Sequence, residues 1–201
     1  MQFIRKIATS IYCDLVTLGG LKVDPPRWMF NIPKELLPHL ETHQILADIN
    51  FTPKERWLIE EAARNIEWFS NGLIKMRILF EWDPAWNVNE NLTVMLRVPS
   101  TEKMITDCDG YYKNTVLGLC NWMKNNSVII HMVHDRLQDE HTFRTTAIHE
   151  IGHYLGLGHL KKPSIMYKSN YMKVLYMTYN DAVEFARIYQ IDPESLRYFR
   201  L

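Results

Sequence analysis

Residues 145–167 read TTAIHEIGHYLGLGHLKKPSIMY, and the eleven from His149 to His159 hold three histidines, one glutamate and three glycines. Spacing gives this stretch its meaning. Ile148, Ile151 and Leu155 recur at i, i+3 and i+7, which predicts a helix from near Thr142 with an apolar stripe. His149 and His153 are four apart on it, so both imidazoles leave one face about a turn apart, as two ligands of one tetrahedral Zn²⁺ require. Glu150 lies beside them, placed to take a proton from a water at such a metal without ligating it. A continuing helix would carry a third ligand away. Gly156 has no Cβ and can adopt the left-handed conformation that ends helices, which returns His159 to the third position.

Working outward, FTPKERWLIEEAARNIEWFSNG (51–72) predicts a helix. Thr52 is the cap, Pro53 the first helical residue, and Trp57, Ile59, Ala62, Ala63, Ile66 and Phe69 recur at helical spacing until Asn71 and Gly72. KMRILFEW (75–82), LTVMLRV (92–98), TVLGLCNWM (115–123) and SVIIHMV (127–133) are rich in β-branched or aromatic residues between Asn, Asp, Gly or Pro, and predict four strands. A last helix starts at Thr178 in MTYNDAVEFARIYQ, with Asp181 in its first turn. Helix, strands, helix, helix is an α+β order.

The His-Glu-x-x-His-x-x-Gly-x-x-His pattern of residues 149–159 resembles the metzincin zinc endopeptidases. Met166, in PSIMY, is similar to the methionine of their tight turn beneath the metal. The wider neighbourhood is most similar to the matrixin branch: HEIGHYLGLGH to its active-site helix, Met166-Tyr167 to its turn, MTYNDAVEFARIY to its closing helix, and FTPKERWLIEEAARNIEW to its opening helix. The likeness covers roughly residues 50–192. It implies a twisted, mainly parallel mixed sheet of four to five strands with an active-site helix and a C-terminal helix.

The resemblance also implies one catalytic Zn²⁺ on His149, His153 and His159, Glu150 as general base, Met166 as an apolar floor, and a peptide or protein substrate. VLGLCNW (116–122) is then a sheet edge along which substrate lies antiparallel, with Gly118, Leu119 and Cys120 offering main-chain hydrogen bonds. An ordinary interior strand is the other reading. Tyr167 to Tyr176 would wall the pocket after the cut bond and suit apolar side chains.

Some departures from the family bear on regulation and ions. The short propeptide motif whose cysteine blocks the zinc is not found, and Cys13 reads as a buried structural cysteine in preference to that role. For structural Ca²⁺ or a second Zn²⁺ the only candidates are His131, His134, Asp107 and Asp109, which do not reproduce such ligand patterns, so neither ion is expected. Tyr167 directly follows Met166, which argues against a tyrosine ligand.

Length, composition and charge narrow the remainder. With 201 residues and 23.9 kDa, one main domain is expected. Four of nine prolines fall in residues 1–45, which read as a loop-rich appendage before a catalytic domain of residues 46–201. Acidic and basic residues number 23 each, so no nucleic-acid partner is expected, and no apolar run reaches membrane-spanning length. At the N-terminus Asp14 interrupts the apolar stretch, against a signal peptide. Cys13, Cys108 and Cys120 do not form a disulfide framework. A cytoplasmic or particle-associated location is expected, with secretion left open. The rival to a peptidase is a metzincin-like domain kept as a structural or binding component of a larger assembly, such as a phage particle. Glu150 favours the peptidase, since a purely structural zinc has no need of a base.

Overall fold

The computed structural model describes residues 42–82, 92–100, 116–123, 126–161, 163–168 and 174–199. Its first strand, β1 (Thr42–Asp48), alternates inward His43, Ile45 and Ala47 with outward Thr42 and Gln44. The sequence reading passed over this strand, and the expected boundary between residues 45 and 46 falls inside it. Its apolar run is short and follows prolines, so the period-two signal is weak against a turn-rich background.

β1 leads into α1 (Pro53–Phe69). Thr52 accepts the Glu55 N–H at 3.2 Å and Glu55 accepts the Thr52 N–H at 2.7 Å, with Pro53 at the first turn. Asn71 and Gly72, both at positive φ, end the helix and turn the chain into β2 (Lys75–Trp82). β3 (Thr93–Val98), β4 (Gly118–Trp122) and β5 (Val128–Val133) follow, each within the span that its composition predicts. α2 (Glu140–Tyr154) is capped by Asp139, whose side chain accepts the Thr142 N–H at 2.7 Å. α3 (Tyr179–Tyr189) is capped at Thr178.

The five strands form one mixed sheet in the order β2-β1-β3-β5-β4. β1 pairs in parallel with β2 (Thr42 opposite Lys75) and β3 (Leu46 opposite Val94), and β3 in parallel with β5 (Thr93 opposite Val128). β4 alone runs antiparallel, placing Gly118 opposite Met132 and Trp122 opposite Val128. The strand expected as either a sheet edge or an interior strand is thus an edge among the described residues. α1 and α2 pack over the sheet on a core that includes Ile45, Ile59, Ile66, Met95, Ile130, Phe143 and Ile151. Ile148, Ile151 and Leu155, the predicted stripe of α2, are all fully buried. This is an α+β fold whose histidine-bearing helix α2 lies against the antiparallel edge strand.

Candidate metal centre and active site

α2 ends in the turn that the histidine spacing demands. Gly156 has φ +87°, its N–H bonds the His153 carbonyl at 3.0 Å, and the Leu157 N–H bonds the Gly152 carbonyl at 3.0 Å. The chain reverses and brings His159 back. Its ring centroid lies 5.3 Å from that of His149 and 4.8 Å from that of His153, while the two helical rings stand edge-on at 4.6 Å. One ligand atom from each histidine lies within 4.8 Å of the other two.

Second contacts fix which nitrogens face inward. His149 Nδ1 lies 2.8 Å from the Ile165 carbonyl and His153 Nδ1 2.7 Å from the Leu157 carbonyl, so each Nδ1 carries the proton and donates. Their Nε2 atoms, 3.0 Å apart, then both present lone pairs. Such a pair repels unless a cation lies between. Two ligands of tetrahedral zinc stand about 3.4 Å apart, so the arrangement fits the metal. Protonation is disfavoured at all three rings: burial pushes His149 down, burial and then the neighbouring His149 and His159 push His153 well down, and burial, His149 and Lys168 bring His159 to about 3. The histidines are therefore neutral, as metal ligands must be.

Glu150 points between α2 and the edge strand. It is 4% exposed, its Oε2 has no hydrogen-bond partner, and burial raises its carboxyl to about 8. A cation beside it is what would let this group ionise near neutral pH. Gly118 of β4 makes the close approach possible, since a Cβ there would lie 2.8 Å from Thr146 Cγ2 and 2.9 Å from Glu150 Cγ and Oε1. Gly152 plays the same part for the methionine turn: a Cβ on it would lie 2.5 Å from Met166 Sδ. Met166 is fully buried and sits against the helix at Gly152, between His149 and His153.

Sequence reasoning gave Asp181 only a place in the first turn of α3. The structure assigns it more. Fully buried, its carboxylate accepts the Ser164 hydroxyl, the main-chain N–H groups of Ile165 (3.1 Å), Met166 (3.3 Å) and Thr178 (2.7 Å), and the Thr178 hydroxyl (2.8 Å). It thereby holds the methionine turn and, through the Ile165 carbonyl, His149. The only signal in the sequence was Thr178 followed three residues later by an acid, which marks a helix start and says nothing of residues 164–166.

Other predicted residues are placed less centrally. Leu119 and Cys120 lie on β4, opposite His131 and Ile130, and Tyr167 follows the turn with its N–H on the Ser164 carbonyl at 3.2 Å. His131 is a buried strand residue, and His134, just past β5, has its Nδ1 2.7 Å from Glu55. Among the described residues the triad is the one group of three or more suitable ligands close enough to share a metal ion. Cys13, Cys108, Asp107 and Asp109 lie outside the described residues, as do residues 169–173 of the proposed pocket wall.

No helix among the described residues is long and apolar enough to cross a membrane. No curated protein matches the chain. The matrixin family model matches residues 24–190, beginning well before the region of likeness read from the motifs. With its helix-borne histidine pair, left-handed glycine turn, third histidine and buried methionine, the chain belongs to the matrixin family of zinc metalloproteases.

Proposed function

We propose that the protein is a zinc-dependent endopeptidase with Glu150 as its general base. The observation that carries this is the buried, unpartnered carboxylate oxygen of Glu150 beside three neutral imidazoles. A zinc kept only for stability has no use for a desolvated carboxyl, which costs folding free energy. An enzyme does.

His149, His153 and His159 would hold the ion. Bound there, Zn²⁺ supplies Lewis acidity that polarises the scissile carbonyl and acidifies a water. Glu150 accepts the proton of the attacking water and returns it to the leaving amine. β4 offers the main-chain groups of Gly118, Leu119 and Cys120 to an extended peptide laid along the sheet edge, and Tyr167 lies where the chain leaves the methionine turn to flank it. Neutral imidazole ligands leave the full charge of the ion available to the carbonyl. Asp181 and Met166 touch no reacting atom, and they keep the floor and the first ligand in place.

The test is zinc content together with cleavage of a quenched peptide library by wild type, Glu150→Ala and His149→Ala. The proposal expects about one zinc in the first two, loss of zinc in the third, and cleavage by wild type alone. Zinc binding without cleavage by wild type would favour a structural domain of a larger assembly.

A further inference from the structure

The end of the ligand helix is tied to the sheet by a side chain that the metal chemistry does not use. Tyr154, the last residue of α2, directly follows His153 and is buried. Its phenol lies 2.9 Å from Nδ1 of His43, a buried residue of β1, and also hydrogen-bonds the Thr93 side chain of β3. Its ring stacks on Trp122 of β4 at 6.2 Å and 23°, and meets the His43 ring edge-on at 5.7 Å and 83°. One residue thus joins the helix end to three strands. On the other side, the Leu155 carbonyl accepts the Tyr189 hydroxyl of α3 at 3.0 Å.

Helix ends fray when their last carbonyls and side chains are unanchored. Here the last turn carries His153 and feeds the Gly156 reversal that returns His159, so loosening it would spread two of three ligands. Trp122 belongs to the edge strand, so the same ring sets how far β4 stands from α2. We infer that Tyr154, held by His43, is a positioning residue for the metal centre and for the gap between α2 and β4. The inference rests on the zinc-peptidase reading. Tyr154 touches neither ion nor substrate and acts through His153 and Trp122.

Tyr154→Phe keeps the ring and its stack on Trp122 and deletes the hydroxyl. The full-length protein would be compared with His43→Ala, the double variant, Thr52→Ala and His149→Ala. Readouts are zinc affinity by competition with a chromophoric chelator, the visible spectrum of the Co²⁺-loaded protein, and melting of the metal-free form. Zinc affinity is expected to fall about tenfold in Tyr154→Phe, with altered cobalt bands. His43→Ala should lower it as well, and the double variant should lose less than the sum of the two, as for residues that share a contact. Thr52→Ala removes the α1 cap and should lower melting without moving the affinity or the bands, which separates positioning from lost stability. His43→Ala leaves Tyr154 in place and tests the contact even if Tyr154→Phe melts too low to load. Wild-type zinc affinity and cobalt bands in both single variants, beside a His149→Ala that binds no zinc, would overturn the positioning role alone. Zinc retained by His149→Ala would overturn the metal assignment and the inference with it.

Discussion

Gly118 and Gly152 show how little room the site leaves at single residues. Neither has the positive φ that would mark a backbone need, so what each supplies is the absence of a side chain. Gly118→Val would place branched carbons where Glu150 and Thr146 lie, forcing the Glu150 side chain, the proposed base, aside or the edge strand outward. We expect kcat/KM for a library peptide to drop about a hundredfold with zinc content unchanged, since displacement of a catalytic group by about 1 Å has that effect. Loss of zinc instead would show that the strand shift reaches the ligands. Gly152→Ala pushes on Met166, and overpacking of this kind costs about 1–3 kcal/mol, read as a lower midpoint in urea. Gly156 was legible from the sequence because its role is conformational and local. The crowding at Gly118 and Gly152 was not, because it depends on which distant atoms arrive.

At the scale of elements, two buried carboxylates join pieces far apart in the chain. Glu55 in the first turn of α1 accepts Arg97 Nε of β3 at 3.1 and 3.0 Å and lies 2.7 Å from His134 Nδ1 beyond β5. Burial alone would raise its carboxyl, but the hydrogen bonds from Thr52 and Arg97 and the Arg97 charge outweigh it and hold it below the ordinary 4.5. A depressed folded value means that this contribution is complete above pH 4.5 and is lost as pH falls through the folded pKa. Glu55→Gln keeps the shape but loses charge-assisted hydrogen bonds and should therefore cost about 2 kcal/mol at pH 7, with the difference from wild type shrinking below pH 4.5 in urea melts. A difference constant with pH would show that packing, not charge, is what Glu55 contributes. Asp181 does the same work between α3 and the methionine turn. Asp181→Asn turns an acceptor of five donors into a group with one accepting oxygen and an N–H₂ facing N–H groups. It should cost about 3 kcal/mol and weaken zinc binding through His149, measured by melting and chelator competition. Sequence spacing found the caps that both acids belong to. Their long-range partners depend on tertiary approach, which local patterns do not encode.

For the whole molecule, the sequence carried the elements that build the site and lost one that frames it. The helix-turn-histidine unit, the four later strands and both flanking helices are strongly patterned, so α2, its turn and β4 as a strand could be read directly, whereas the edge position of β4 depends on sheet order and could not. β1 was lost among prolines although it lies inside the sheet, and through His43 it touches the end of the ligand helix. A metal ion held by the triad would link these parts thermodynamically. His149 and His153 come from α2 and His159 from beyond the turn, so the site exists only when helix, turn and methionine loop are together. Ligand that binds the folded state alone stabilises it by RT ln(1 + [L]/Kd), about 2.7 kcal/mol at a hundredfold excess of free zinc over Kd. Stripping the ion with a chelator should lower the melting temperature and abolish cleavage, and zinc should restore both. In the metal-free protein two Nε2 lone pairs 3.0 Å apart are left facing each other, so removing one ring relieves repulsion there. His149→Ala should thus lose the whole zinc-dependent increment yet melt close to the metal-free wild type. A zinc-dependent rise persisting in His149→Ala would mean that the ion stabilises the fold from another set of ligands.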